Sequence, residues 1–219
     1  MNKTSAVIFD MDGLLLATED VYTEVTSKVV AGYGKVFEWK TKAKMMGRSA
    51  GDAYQILIDE LNLPLAPHEL GQIQEPLLLE GFANALAMPG AYGLTELLGE
   101  KSIPMALATS SSRDLYLVKT ERHKDWFRCF DAILTGDDVE RLKPEPDIFL
   151  EAARRLGREP EQCLVFEDAV AGVSAAKAAG MQVVAVIDQR ADREAYQDAD
   201  LVLHSLDEFS VADWAWECS

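Results

Sequence analysis

Cysteine is scarce in this chain. Its 219 residues include three cysteines, Cys129, Cys163 and Cys218, and their spacing matches no metal-binding motif. An odd number of widely separated cysteines is typical of proteins that keep their thiols reduced. We therefore expect a cytoplasmic protein that depends on its apolar core rather than on disulfides.

Long apolar runs and an excess of basic residues are also missing. No run is long enough to cross a membrane, and residues 1–5 lead into the first apolar stretch without the pattern of a signal peptide. Acidic residues number 37 against 21 Lys and Arg, which gives a formal net charge of −16. Non-specific nucleic-acid binding needs a basic surface, so we expect neither a nucleic-acid partner nor a membrane partner.

The stretch from Ala6 to Gly13 places two carboxylates at the end of an apolar run. Residues 6–9 predict a buried strand, because the run is short and rich in Val, Ile and Phe. Asp10 and Asp12 follow, and ligands of open α/β sheets bind at the carboxyl ends of the strands. Two buried carboxylates this close need a cation, a shared proton or N–H donors. Taken alone, the stretch is equally compatible with a turn or a helix cap at a strand end.

The chain changes its pattern at residue 88. Residues 18–87 show helical periodicity and no convincing strand, which predicts a compact insert of about four helices. Beyond it, helices alternate with strands predicted at 103–108, 132–134, 163–166, 183–187 and 201–203. This alternation predicts an α/β fold with a Rossmann-like parallel sheet and helices on both faces, formed by residues 1–17 and 88–219.

Residue types that carry chemistry follow several of the predicted strands. Thr109 and Ser110 follow the second strand, Lys143 precedes a helix, and Glu167 and Asp168 follow the fourth strand. Each group has an ordinary alternative, since the hydroxyls and the acidic pair could cap helices and the lysine could lie in a surface turn. Because the strands of a parallel sheet end at one edge, their joint occurrence there favours a functional site.

This set of residues suits phosphoryl transfer. Carboxylates from two strands can hold Mg²⁺, a cation that prefers oxygen ligands. One aspartate of the first pair can attack phosphorus, and the other can move the protons. The lysine, the hydroxyls and the nearby N–H groups can offset charge on the transferring oxygens.

Four segments, in this order, resemble the four motifs of the haloacid dehalogenase-like superfamily: Asp10-Met11-Asp12-Gly13, Thr109-Ser110, Lys143-Pro144-x-Pro146-Asp147 and Glu167-Asp168-x-x-x-Gly172. The resemblance covers essentially the whole chain. The helical insert is similar to the four-helix cap domain of the phosphoglucomutase-like branch, which implies a cap over residues 18–87. Core segments around residues 107–111, 119–124, 136–138 and 164–169 are similar to those of phosphatases for a nucleoside monophosphate.

The resemblance also implies roles for single residues. Asp10 would be the nucleophile and Asp12 the general acid and base, while Thr109, Ser110 and Lys143 would bind phosphate. Mg²⁺ would be held by Asp10, by the backbone carbonyl of Asp12 and by Asp168, with Glu167 in or near the metal shell. The sequence departs from the family pattern at Ala17, where an aspartate is usual, and at Leu142, where a glycine is usual.

The implied activity is Mg²⁺-dependent hydrolysis of a small phosphorylated metabolite, a sugar phosphate or a nucleoside monophosphate. A sugar-phosphate mutase is the alternative within the same fold, and a non-catalytic binding protein is disfavoured by the complete set of motifs. In the insert, Arg48 could contact the substrate or could be a solvated residue at a helix start. We expect a monomer or a weak dimer.

Overall fold

Six parallel strands form one sheet in the part of the chain that the structure describes. The computed structural model describes residues 4–45, 50–214 and 216. The strands pair in the order β3-β2-β1-β4-β5-β6. They are β1 (Ala6–Phe9), β2 (Met105–Ala108), β3 (Ala132–Leu134), β4 (Cys163–Glu167), β5 (Gln182–Val186) and β6 (Leu201–Leu203).

The α-helices lie between the strands and in the insert after β1. They are α1 (Thr18–Ala31), α2 (Trp39–Met45), α3 (Ala50–Leu61), α4 (Pro67–Ala83), α5 (Ala91–Glu100), α6 (Arg113–Thr120), α7 (Asp147–Leu156) and α8 (Val170–Ala178). None of the helices in the described ranges is both long enough and apolar enough to span a membrane.

Both faces of the sheet are buried, as β1 illustrates. Val7 and Phe9 belong to one apolar cluster, and Ala6 and Ile8 belong to the other. Neighbouring residues of a strand point to opposite faces, so a continuous apolar run marks a strand that is covered on both sides. Helix α5 contributes to the first cluster, and α7 and α8 contribute to the second. The predicted α/β class with helices on both faces is confirmed.

Several predicted strands differ from the observed ones by one or two residues at their ends, as for the strands predicted at 163–166 and 183–187. The second strand begins at Met105 rather than at residue 103, because Pro104 has no N–H for the ladder and supplies only its carbonyl, which accepts from the Val7 N–H at 2.9 Å. Helix α6 ends at Thr120 and continues as a 3₁₀ turn over Glu121–His123.

Residues Thr18–Ala85 form a separate unit that contains α1 to α4. Within it, the rings of Tyr22 and Phe82 pack edge to face at 5.0 Å, which joins α1 to α4. The Lys42 ammonium of α2 donates to the Thr23 hydroxyl of α1 at 2.7 Å. The other unit, Met1–Ala17 with Leu86–Ser219, contains the sheet.

The order of the strands places a topological switch point between β1 and β4. The chain winds from β1 to one side through β2 and β3, and to the other side from β4 onward. Such a point opens a crevice at the carboxyl ends of the strands. The parallel register aligns Phe9 with Phe166, whose rings stack at 5.1 Å, and the Asp10 N–H donates to the Phe166 carbonyl at 3.0 Å. The residues after both strands therefore lie side by side.

Candidate active site

A buried lysine joins the ends of the two central strands. The Lys143 ammonium donates to Asp10 Oδ1 at 2.5 Å, to Glu167 Oε1 at 2.6 Å and to the Ala108 carbonyl at 3.0 Å. The exposed fractions of the three charged side chains are 7% for Lys143, 8% for Asp10 and 1% for Glu167. A buried cation requires anionic partners of good geometry, and these three acceptors saturate an ammonium group. Lys143 is therefore part of the site and not a surface turn residue.

Burial and neighbouring charges shift the pKa values of Lys143 and Asp10. Burial opposes the positive charge of Lys143, but Asp10 and Glu167 outweigh it and raise the pKa of the lysine above its ordinary value. Burial raises the pKa of the Asp10 carboxyl, the Glu167 and Asp12 charges add to this effect, and Lys143 opposes it. The two buried carboxylates of Asp10 and Glu167 share the single ammonium of Lys143, which favours an additional cation.

Three carboxylates are close enough to share a metal ion. Oxygen atoms of Asp10, Glu167 and Asp168 all lie within 4.8 Å of one another. Asp10 Oδ2 is buried, and no described residue donates a hydrogen bond to it. An unpaired buried carboxylate oxygen is costly, and a hard cation such as Mg²⁺ would satisfy it. The residues present therefore fit a divalent metal ion.

The Asp12 carboxylate is held by a second set of donors. Its Oδ1 accepts from the Lys119 ammonium at 2.6 Å. Its Oδ2 accepts from the Ser111 hydroxyl at 2.8 Å and from the Thr109 hydroxyl at 3.1 Å. The two aspartates of the first motif thus have different surroundings, although one residue separates them.

Glu167 combines an ion pair to Lys143 with hydrogen bonds from the backbone just before α8. Its Oε2 accepts from the backbone N–H groups of Asp168 and Ala169, both at 2.9 Å, just before α8. These N–H groups lie at a helix start, where carboxylates are favoured. The N-cap residue of α8 is Ala169, and no side-chain cap hydrogen bond forms there, so the helix-capping alternative considered from the sequence is wrong for Glu167, whose other oxygen orients Lys143.

Gly172 leaves the space that Glu167 occupies. A Cβ atom on Gly172 would lie 1.7 Å from Glu167 Oε1 and 1.9 Å from its carboxyl carbon. Because Glu167 is buried and held by three donors, it cannot move aside without losing them. The glycine of the fourth motif is therefore required for packing against a carboxylate.

The structure brings most of the predicted site residues together. The contacts above join Lys143 to Asp10 and to Glu167, and they join Thr109 to Asp12. Asp168 completes the group beside Asp10 and Glu167. Thr109 is completely buried and binds Asp12, whereas Ser110 is exposed and Ser112 caps α6 through the Leu115 N–H. Arg48 lies outside the described residues.

Three contributing residues were not predicted as part of the site. Ser111 and Lys119 bind Asp12, and the Tyr196 hydroxyl donates to the Asp168 carbonyl at 2.9 Å. The helical periodicity of the sequence could have indicated Lys119, because residues three positions apart lie on the same face of a helix. Lys119 follows Tyr116 by three residues, and both side chains are buried. A lysine on the inner face of a helix needs an anionic partner. No comparable pattern marks Tyr196, which approaches the site from a 3₁₀ turn.

Replacing Gly172 by alanine tests the role of this packing. We expect Gly172→Ala to displace Glu167, to leave Lys143 with one carboxylate fewer, and to lower the free energy of unfolding by about 2 kcal/mol or more. The matched control is Gly93→Ala, because Gly93 also occupies the third position of its helix and a Cβ there meets no atom within 4 Å. Chemical denaturation of both variants measures the difference, and equal stability would contradict the packing argument.

Comparison with known proteins agrees with this geometry. The sequence model of the haloacid dehalogenase-like hydrolases matches residues 4–180. The chain is 44% identical over 215 residues to mitochondrial (DL)-glycerol-3-phosphatase 1 of Arabidopsis thaliana, covering 95% of this chain and 72% of that protein. It is 39% identical over 214 residues to a probable pseudouridine-5′-phosphatase of Drosophila melanogaster, covering 95% and 93%.

A solved structure extends the similarity to three dimensions. A Thermotoga maritima protein, provisionally assigned as a beta-phosphoglucomutase, superimposes with a TM-score of 0.76 at 32% identity, covering 91% of this chain and 94% of that one. The family match spans both the first and the fourth motif and the strands that carry them. The chain belongs to the haloacid dehalogenase-like hydrolase family.

Proposed function

We propose that this phosphoric monoester hydrolase acts with Mg²⁺ on small phosphorylated metabolites and forms an aspartyl phosphate on Asp10. The observation that carries the proposal is the state of the Asp10 carboxylate. It is buried at the switch point, one oxygen is bound by Lys143, and the other has no donor among the described residues. A carboxylate with one oriented oxygen and one open oxygen suits a nucleophile beside a metal ion.

Mg²⁺ would be held by the carboxylates of Asp10 and Asp168 and by the backbone carbonyl of Asp12. When bound, it would neutralise charge on the phosphoryl oxygens and on the carboxylate cluster. Glu167 belongs to the same cluster, but its oxygens already accept from three N–H donors. We therefore assign it to the border of the metal site, where it positions Lys143.

The reaction proceeds in two displacements. An Asp10 oxygen attacks phosphorus, the bond from phosphorus to the ester oxygen breaks, and Asp12 gives a proton to the departing alkoxide. Asp12 then takes a proton from water as the water oxygen attacks phosphorus, and the bond to Asp10 breaks. Free phosphate leaves, and both aspartates return to their starting states.

Donors around the nucleophile stabilise the charge on the transferring group. Lys143 already contacts Asp10, so its ammonium lies beside the position that the phosphoryl group takes. Ser110 follows β2 at the same edge, is exposed and would supply its hydroxyl and N–H groups, while Thr109, which donates to Asp12 in this structure, would turn its hydroxyl to the phosphoryl group when substrate binds. Phosphoryl transfer depends mainly on such positioning and electrostatic stabilisation.

Substrate choice is assigned to the helical unit, which we propose to be the cap domain, with Arg48 as a substrate contact. The names of the relatives point to two chemical classes, a polyol phosphate and a nucleoside monophosphate. Both are phosphate monoesters of an alcohol, so both need a proton for the leaving oxygen. The proposal therefore specifies hydrolysis as the reaction and restricts the substrates to phosphate monoesters of alcohols.

Asp10→Asn tests the nucleophile. The amide cannot form the acyl phosphate, so we expect kcat to fall by about four orders of magnitude or more while the fold is retained. Asp114→Asn is the control, because Asp114 is exposed on α6 and undergoes the same chemical change. Activity of the Asp10 variant close to that of the control would refute covalent catalysis by Asp10.

Asp168→Asn tests the metal site. Losing a charged ligand weakens metal binding, so we expect the Mg²⁺ concentration for half-maximal activity to rise at least about tenfold. Removal of divalent ions with a chelator should abolish turnover of the wild type, and added Mg²⁺ should restore it. Calorimetric titration with Mg²⁺ gives a second readout that does not depend on turnover. An unchanged Mg²⁺ dependence would exclude Asp168 as a ligand.

A product assay separates a phosphatase from a mutase, which the similarity to the Thermotoga maritima protein keeps open. The enzyme is incubated with glycerol 3-phosphate, pseudouridine 5′-phosphate and a set of hexose phosphates. We expect inorganic phosphate in an amount equal to the substrate consumed. An isomeric sugar phosphate formed without free phosphate would establish the mutase instead.

A further inference from the structure

Lys119 is a buried lysine that the roles assigned above leave without a function. It lies in the last turn of α6, and its side chain is 2% exposed. Transferring an ammonium group from water into a protein interior is strongly unfavourable unless partners compensate. An apolar residue would fill the same position without that cost. The position of the charge therefore needs an explanation.

The Lys119 side chain runs back along its own helix towards the active-site edge. Helical side chains point towards the N-terminus of the helix, and α6 begins at Arg113, shortly after Thr109 at the end of β2. The Lys119 ammonium reaches Ser111, just before the helix, at 2.9 Å and Asp12 Oδ1 at 2.6 Å. These two partners lie at the first motif and directly after the second.

The donors around Asp12 fix the plane of its carboxylate. Lys119 binds Oδ1, while Thr109 and Ser111 bind Oδ2, so donors occupy both ends of the group. Ser111 contacts both Asp12 and Lys119 and closes a small ring of hydrogen bonds. A carboxylate held in this way keeps one rotamer and directs its remaining lone pairs in a set direction.

The side chains of Asp12 and Lys119 differ in their exposure to solvent. The Asp12 side chain is 24% exposed, whereas that of Lys119 is 2% exposed. A substrate that arrives from solvent can meet Asp12, while the Lys119 ammonium stays behind it. Lys119 therefore acts through Asp12 and does not itself contact the reacting group.

We propose that Lys119 is the positioning residue of the general acid and base, holding Asp12 as Lys143 holds Asp10. Three carboxylates of the site are then bound by two separate ammonium groups: Lys143 binds the nucleophile and Glu167, and Lys119 binds the proton-transfer residue. This inference rests on the roles of Asp10 and Asp12 in the proposed function.

The test compares two aryl esters that differ in their need for a proton. Phenyl phosphate has a poor leaving group that depends on protonation by Asp12, whereas p-nitrophenolate leaves unprotonated. For Lys119→Met we expect kcat/KM to fall about 100-fold with phenyl phosphate and by less than about threefold with p-nitrophenyl phosphate. A merely structural loss would lower both values by the same factor and would overturn the proposal.

The second half of the reaction supplies an independent readout. Asp12 must still accept a proton from water when p-nitrophenyl phosphate is the substrate, so hydrolysis of the aspartyl phosphate should slow in Lys119→Met. We expect a burst of about one p-nitrophenol per enzyme and a phosphorylated protein after acid quenching. Absence of both in the variant would contradict the proposal.

Three further variants keep the test decisive. Lys177→Met is the matched control, because Lys177 forms an ion pair with Asp200 at 3.0 Å away from the site. In an Asp12→Asn background, Lys119→Met should add no further loss, since the two residues act as a unit.

If Lys119→Met does not fold, Ser111→Ala replaces it in the test. This variant must show the same preference for p-nitrophenyl phosphate, about tenfold, and an equal loss of activity with both esters counts against the proposal.

The experiment distinguishes failure of this inference from failure of the proposed function. If the wild type forms no phosphoenzyme and hydrolyses neither ester, the proposed function itself is wrong. If the wild type reacts with both esters and Lys119→Met loses activity equally on both, only the role of Lys119 is wrong.

Discussion

A lysine buried between two carboxylates is the interaction on which the active site depends. The Lys143 ammonium can remain charged in the interior only if Asp10 and Glu167 are both present and correctly placed. These carboxylates come from the ends of different strands, so the parallel register of β1 and β4 is a condition for the ion pairs. The stacked rings of Phe9 and Phe166 stabilise that register from the core.

The same constraint extends from the sheet into the helices. Glu167 must reach Lys143 with one oxygen and the start of α8 with the other. This geometry requires that α8 present no side chain at Gly172. Glu167 on β4 thus contacts the backbone before α8 directly, and it is connected to Asp10 after β1 through Lys143. A change in any of these elements alters the surroundings of the nucleophile. The second lysine, Lys119, joins α6 to this arrangement through Asp12.

The division of charges has a functional meaning under the proposed mechanism. The nucleophile must keep one oxygen open, and Asp10 does so because Lys143 binds only its other oxygen. The residue that moves protons must keep its direction, and Asp12 does so because both of its oxygens are bound. Two carboxylates of identical chemistry are thereby prepared for different steps by their neighbours.

The order of elements could be predicted from the sequence because it depends on local patterns. Apolar runs such as Ala6–Phe9 mark buried strands. The prediction for β2 was two residues too long at its start because Pro104 has no N–H for the sheet. The four motifs identified the family, since their residue types and order are specific. Ser111 and Lys119 were missed as site residues because their partner, Asp12, lies about a hundred positions away in the sequence.

The sequence by itself determined the helices and strands, the family and the residue types available at each strand end, because these follow from periodicity and motif order. The tertiary structure decided which strands are neighbours, which oxygen of Asp10 stays open and which lysine serves which aspartate. These features depend on register, burial and distances of a few ångströms between residues far apart in the chain. Such distances are set only when the whole sheet has formed.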